Sequence, residues 1–428
     1  MRTANGCRAP RPGAVVSIIT LALAVLVATT TTGLAGPTAT ASAATTANPG
    51  RGGFVPITPF RLVDTRERSG VAYGAPALAS AETRTFNVYK AGNGQVPAGK
   101  VGSLALNVTA VGAGGAGFLA VWPSDSGRPT ASAVNYAGGD IVANAVAVRV
   151  ASDGTFSVFS QTSTNIVVDV MGYYAATPGN TPDGGGFVGL TPNRLMDTRD
   201  ALGARRFGAG GAAPLKVTGA GAAPDNAAAV VLNVTVTAPG GPGFLSVYPA
   251  GIGRPDASNV NYDPGQTVAN QVTVKVGQGG SVNLFSQAAA DVVVDIMGWY
   301  APGPAAPGGF VPVSPVRVMD SRIILGDLNY DPVTDSVILH LSGGFGGVPA
   351  GATAVSLNVT VVGPDVPSYL TVWPDGATRP LSSNINFAIG ATVPNAVAVG
   401  LGAEGGVEFY TPAFPDLVAD LGGYFTAA

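Results

Sequence analysis

Arg61-Leu62-Val63-Asp64-Thr65-Arg66 is written three times in this chain. It returns as Arg194-Leu195-Met196-Asp197-Thr198-Arg199 and again as Arg317-Val318-Met319-Asp320-Ser321-Arg322. The echo runs well beyond the hexapeptide. Asn107 returns as Asn233 and Asn358, Arg128-Pro129 as Arg254-Pro255 and Arg379-Pro380, Asn144 as Asn270 and Asn395, and Asp169 as Asp295 and Asp420. Self-similarity at this spacing means three copies of one module rather than one large domain. The copies span 54–176, 187–301 and 310–428, each of ordinary single-domain length. Pro/Gly-rich stretches at 44–53, 177–186 and 302–309 read as short, semi-stiff linkers.

Inside each copy the hydrophobic period is two. Val230, Leu232, Val234 and Val236 alternate with Val231, Asn233, Thr235 and Thr237. Short strands recur between Gly, Pro and Asn, and no stretch carries a helical period. About eight strands per copy predict an all-β chain of three tandem antiparallel β-sandwich repeats of the jelly-roll kind. The closing strands, Ile166–Met171 and Val292–Met297, are apolar on both faces. Such a strand lies mid-sheet or against a neighbouring domain. Two arrangements follow, a pseudo-threefold cluster of repeats or an extended array.

Residues 1–43 read as a secretory signal. Arg2, Arg8 and Arg11 precede an apolar run from Val15 to Ala28, and Ala41-Ser42-Ala43 is a cleavage site. The apolar run is short for a membrane span, and no second one follows. Cys7, the only cysteine, lies inside this leader, so the exported modules are disulfide-free and depend on their cores. The expected location is extracellular or at the cell surface. Net charge is −3, and more acidic once the leader arginines are removed, which argues against a nucleic-acid partner. Only 11% of residues are charged, against about 25% in ordinary domains. A surface so poor in charge favours assembly, with itself or with a partner.

Asp169, Asp295 and Asp420 sit in apolar strands and need partners, because a buried unpaired carboxylate is too costly. The repeated arginines supply them. The expectation is a structural ion-pair network of Arg61, Asp64, Arg66 and Asp169, of Arg194, Asp197, Arg199 and Asp295, and of Arg317, Asp320, Arg322 and Asp420. An arginine site for a carboxylate or phosphate ligand is the sharper alternative. Asn144, Asn270 and Asn395 are expected to satisfy backbone groups at a bulge or strand start. The Asn107-Val108-Thr109 triplet matches a glycosylation acceptor, but strand alternation explains it.

An aromatic row recurs as Phe118 and Trp122, Phe244 and Tyr248, and Tyr369 and Trp373. Rings separated by a small residue suit a sugar-stacking platform; they equally suit burial under a second sheet or an inter-module seam. In copy three Asp327, Asn329, Asp331 and Asp335 space oxygen ligands like the start of a calcium loop. Pro332 stands where the turn glycine belongs and Ile338 where the final bidentate Glu belongs, so an acidic turn is the ordinary alternative. No other cofactor is implied.

The catalytic inventory is thin. His340 is the only histidine and has no counterpart in the other copies. There is no G-x-S-x-G, H-E-x-x-H or phosphate loop. Arginines beside Asp64 and Asp169 would lower both carboxyls, the reverse of what a general acid needs. The chain is expected not to be an enzyme.

The strings from Phe54-Val55-Pro56 to Arg66, around Leu106-Asn107-Val108-Thr109, around Ala143-Asn144, and across Val168-Asp169-Val170-Met171-Gly172-Tyr173-Tyr174 resemble a module of secreted actinobacterial proteins. There it occurs in tandem or appended to extracellular enzymes. The resemblance covers Phe54 to Phe425, departs at Gly189 and Gly422, and implies a secreted, mostly β, accessory or structural module. Function is therefore expected among three classes. These are multivalent binding of a glycan or cell-wall polymer, a self-assembling surface protein, and an accessory subunit or adhesin for a protein partner.

Overall fold

The computed structural model describes residues 52–427, except 67–72, 92–93, 177–184, 220, 304–308 and 344. The leader at 1–43 lies outside the described residues, as do most of the three linkers. Where the sequence alternates, strands form. Repeat 1 carries β1 (Phe54–Asp64), β2 (Glu82–Asn87), β3 (Val101–Val111), β4 (Gly117–Pro123), β5 (Val134–Tyr136), β6 (Ile141–Arg149), β7 (Thr155–Ser160) and β8 (Asn165–Ala175). Repeat 2 carries β9 (Phe187–Asp197), β10 (Gly211–Lys216), β11 (Ala229–Thr237), β12 (Gly243–Pro249), β13 (Val260–Tyr262), β14 (Val268–Lys275), β15 (Ser281–Ser286) and β16 (Asp291–Tyr300). Repeat 3 carries β17 (Phe310–Asp320), β18 (Leu328–Asp331), β19 (Ser336–His340), β20 (Ala352–Val362), β21 (Ser368–Pro374), β22 (Ile385–Phe387), β23 (Thr392–Gly400), β24 (Gly406–Tyr410) and β25 (Asp416–Thr426).

Six antiparallel sheets result, two per repeat. In repeat 1 they are β1-β8-β3-β6 and β2-β7-β4-β5. Repeat 2 repeats both orders, and repeat 3 adds β18 as an extra edge strand to the second sheet. Order 1-8-3-6 facing 2-7-4-5 is the strand order of an eight-stranded jelly roll. The two sheets of a repeat share one core. In repeat 1 Leu104, Leu106 and Val108 of β3 and Val168 and Val170 of β8 meet Leu119 and Val121 of β4 and Phe156 and Val158 of β7. Equivalent cores fill repeats 2 and 3. Without disulfides these cores carry the stability, at about 1.5–3 kcal/mol per fully buried large side chain.

The other face of the first sheets is what joins the repeats. Each contributes apolar residues to one further cluster: Phe54, Met171 and Tyr174; Phe187, Met297 and Tyr300; Phe310, Ala354 and Phe425. The contacts are cyclic. Phe54 stacks on Tyr300 at 4.5 Å, Phe187 on Phe425 at 4.6 Å, and Phe310 on Tyr174 at 4.4 Å. The Tyr174 and Tyr300 hydroxyls are 2.7 Å apart and satisfy each other, while the third repeat places Phe425 there and adds no polar atom. Closing strands buried on both faces are thus mid-sheet and against neighbours at once. Residues Thr46–Ala428 form one compact unit, which rules out the extended array.

Candidate functional site

Each R-x-x-D-T/S-R segment ends a first strand, and a bulge shapes it. Arg61 pairs with Asp169 but Val63 with Val168, so Leu62 is one extra residue. The same slip follows Arg194 and Arg317. On a regular strand residues i and i+3 point to opposite faces; one inserted residue brings them together. Arg61 therefore donates from Nε to Asp169 Oδ1 at 2.9 Å and from Nη1 to Asp64 Oδ2 at 3.4 Å. Arg66 grips the same Asp64 through Nε at 2.8 Å and Nη2 at 2.7 Å. Arg194 and Arg317 repeat the arrangement on Asp295 and Asp197 and on Asp420 and Asp320, while Arg199 and Arg322 hold Asp197 and Asp320. These guanidiniums are committed to internal carboxylates, and Arg61 also faces Asp256 of repeat 2 at 3.5 Å. The sharper reading of them as an anion site is corrected on that ground.

Electrostatics divides the carboxyls into two groups. Side-chain bonds from Arg199 and Arg322 hold Asp197 and Asp320 low, Asp320 at about 2, and Asp64 is lowered by Arg66 against the pull of burial. Burial reverses the expectation for the other three. It pushes Asp169 up to about 6 although Arg61 is bonded to it, and raises Asp295 and Asp420 too. A carboxyl whose pKa rises on folding contributes stability that is full below its unfolded pKa, near 3.8, and is lost as pH rises through about 6. Calorimetric melting should thus show a decline in Tm from about pH 4 to 6 that Asp169→Asn removes in part. Parallel curves for both proteins across that interval would refute the assignment.

The repeated asparagines do more than finish strands. Asn144 Nδ2 donates to Asn358 Oδ1, Asn270 Nδ2 to Asn107 Oδ1 and Asn395 Nδ2 to Asn233 Oδ1, at 2.8, 2.9 and 3.0 Å. Their Oδ1 atoms accept from the backbones of Ala396, Ala145 and Gln271. These bonds cross repeat boundaries, and each Nδ2 also donates to a backbone carbonyl of its own repeat, Ala133, Asn259 or Asn384, so the expected backbone satisfaction is present and is extended across the seams.

A cleft of about 400 Å³ opens at the seam between repeats 1 and 2. Repeat 1 lines it with Arg61, Arg66 and Thr109, and repeat 2 with Phe244, Asn261 and Gln287. Its size is that of a small-molecule site. Two of its polar atoms, Thr109 Oγ1 and Asn261 Nδ2, are buried without a hydrogen-bond partner. In the other repeats the matching Asn135 and Asn386 donate to Ser132 and Ser383. Thr235 and Thr360, the counterparts of Thr109, also carry unpaired hydroxyls. The arginine motif of one repeat and the aromatic row of the next therefore meet in one place.

The aromatic platform itself is corrected. Trp122, Tyr248 and Trp373 are 5%, 7% and 0% exposed. The two indoles are further tied down, donating to Ser126 O and Ala377 O. Rings of this size carry too much apolar area to stay in water when a small-residue neighbourhood can cover them. Phe118 and Phe244 stay half-buried and Tyr369 is 39% exposed. Each leans on a second ring, Phe159, Phe285 or Tyr410, over which the Arg128, Arg254 or Arg379 guanidinium lies with Cζ 3.8, 4.4 or 3.7 Å from the centroid. Sequence reasoning missed these stacked arginines, although the Arg-Pro repeat was its signal.

The calcium reading is corrected as well. Asp327 to Asp335 form the β18–β19 hairpin, in which Asp331 accepts from Val333 N and Thr334 Oγ1, and Asp335 accepts from the Tyr330 hydroxyl. Asn329 turns to His340 instead. Local donors take the Asp331 and Asp335 carboxylates, and among the described residues these aspartates do not gather around one point. Among the described residues no helix is long and apolar enough to cross a membrane.

No family model and no curated protein matches the chain. Among solved structures it is similar to the N-terminal CBM22-1-CBM22-2 tandem domain of Xyn10C from Paenibacillus barcinonensis, at 14% identity and TM-score 0.16, over 57% of this chain and 94% of that one. It is also similar to an archaeal-virus protein described by its triple jelly roll fold and turret assembly, at 8% identity and TM-score 0.20, over 89% and 97%. A Sulfolobus Turreted Icosahedral Virus structure overlaps at 9% identity and TM-score 0.18, over 89% and 98%. At such scores the fold rests on the chain's own strand order and shared cores.

Proposed function

We propose that this chain is a secreted, non-catalytic, extracellular or cell-surface module that binds a neutral glycan or cell-wall polymer at several sites. The cleft between repeats 1 and 2 carries the proposal. It offers a half-buried ring and arginines already neutralised by Asp64 and Asp169, backed by the buried, unpartnered Asn261 amide and Thr109 hydroxyl. Dipolar donors beside an aromatic face suit a polyol better than an ion. The equivalent positions of the other repeats carry the same residue types, Arg199, Thr235 and Tyr369, and Arg322, Thr360 and Phe118. Weak sites on one rigid body gain avidity on a repetitive polymer. Non-catalysis is supported by the clasp, whose carboxyls are either paired low or raised but fully buried.

Retention on insoluble cell-wall polysaccharide tests this. Phe244→Ala with Asn261→Leu should lower retention at least about tenfold, the worth of roughly 1.4 kcal/mol at one site, while the exposed Tyr330→Ala leaves it unchanged. Equal retention of all three proteins would sink the seam site. A self-assembling surface protein is the second reading. It is favoured by Ile324, Val333, Leu381 and Phe414, all in repeat 3 and 88–98% exposed. Concentration-dependent mass in solution, without polysaccharide, would select it.

A further inference from the structure

Repeat 3 departs from the other two at one corner of its second sheet, and the other two serve as internal controls. Strand register defines the corner. Asn87 pairs with Thr155, Lys216 with Ser281 and His340 with Gly406. In repeat 1 the corner holds one carboxylate, Asp153 at the place of Glu404, and local donors occupy it: Thr155 Oγ1 and N donate to Asp153 Oδ1 at 2.6 and 3.1 Å, Asn87 Nδ2 donates to Asp153 O at 2.9 Å, and the Ser124 and Thr155 hydroxyls bond each other. In repeat 2 a cation closes it, since Lys216 Nζ donates to Gly279 O at 2.7 Å. Repeat 3 replaces these residues with His340, Asp375 and Glu404, and replaces the bulk at Thr155 with Gly406. A Cβ on Gly406 would lie 3.2 Å from Asp375 Oδ2, so the missing side chain makes room for the carboxylate.

One ligand atom from each of His340, Asp375 and Glu404 lies within 4.8 Å of the others. We propose that this corner binds a divalent transition-metal cation of the zinc class through these three side chains. Bonds of about 2.1 Å place such ligands roughly 3–3.5 Å apart, so the groups need only short side-chain movements to close on an ion. The imidazole sets the metal class, because nitrogen beside carboxylate suits zinc, nickel or cobalt, and calcium takes oxygen ligands. Two neighbours order the corner. The Asn329 amide lies 2.9 Å from His340 Nε2; turned so that its Oδ1 accepts from Nε2–H, it leaves Nδ1 unprotonated for the ion. Buried Glu408 accepts from Ser336 Oγ at 2.6 Å, Thr334 Oγ1 at 2.9 Å and Gly376 N at 3.0 Å, which makes it a fixed negative charge beneath the site. Burial and then that charge raise the Asp375 carboxyl, a cost that a bound cation relieves.

Titration calorimetry of the tag-free chain with zinc chloride tests the site. One equivalent is expected to bind, and His340→Ala, Asp375→Asn and Glu404→Gln should each weaken it by at least about tenfold. Zinc should raise the melting temperature of the parent and not of the triple variant, which melts normally without metal because all three positions are half-buried or exposed. No saturable binding, binding retained by the triple variant, three equivalents instead of one, or calcium saturating below zinc would each overturn the proposal.

Discussion

Replacing Asn270 by alanine is expected to cost about 3–6 kcal/mol of stability, although the residue touches no ligand. Its Oδ1 accepts from Ala145 N at 3.1 Å, and its Nδ2 donates to Asn259 O at 2.6 Å and Asn107 Oδ1 at 2.9 Å. The residue is 1% exposed. Alanine would leave an amide and two oxygens buried without partners, at about 1–3 kcal/mol each, and the losses add incompletely. Asn144→Ala and Asn395→Ala break the equivalent links to repeats 3 and 2 and should fall in the same range. Denaturant unfolding followed by fluorescence reads the loss. A cost of less than about 1 kcal/mol for all three would mean that water replaces these bonds and that the seams are not sealed.

Phe54→Ala should cost about 3–5 kcal/mol, the range for a large ring removed from a close-packed interior. Phe54 is fully buried, 5.2 Å from Tyr174 of its own repeat and 4.5 Å from Tyr300 of the next. Its ring also explains a glycine. A Cβ on Gly172 would stand 2.3 Å from Phe54 Cζ, and Gly298 and Gly423 meet Phe187 and Phe310 in the same way. Gly172→Ala should therefore destabilise by about 1–3 kcal/mol through overpacking. In the Phe54→Ala background the clash with the ring is gone and only the 2.9 Å approach to Val55 O remains. The double variant should accordingly be more stable than the sum of the single losses allows, as a thermodynamic cycle of melting curves measures. Strict additivity would show that the two positions do not touch.

Strand alternation was legible because burial on one or two faces imposes period two along each strand, and Val230 to Val236 carry it plainly. The carboxylate partners were legible too, since Asp169 in an apolar strand demands a cation. Three things were not. The bulge at Leu62 leaves no mark in residue type, yet it alone puts Arg61 and Asp64 on one side. The fate of Trp122 and Tyr248 was open, because the same rings suit a sugar or a seam. The direction of the Asp169 shift was misread, since burial outweighs the arginine and depth cannot be read from a motif.

By itself the sequence determined the unit: three disulfide-free β modules, each able to bury its own core, with an arginine–aspartate clasp at one end. Only the tertiary structure decided which surfaces remained for function. Asn107 of one repeat and Asn270 of the next are far apart in the chain, and their bond exists only because three apolar second faces close on one another. The same closure carries Phe244 to Arg66 and Thr109, while Trp122 is covered within its own repeat. Local propensity specifies strands, but the pairing of whole faces is a long-range choice made by burial, and the candidate cleft is a product of that choice.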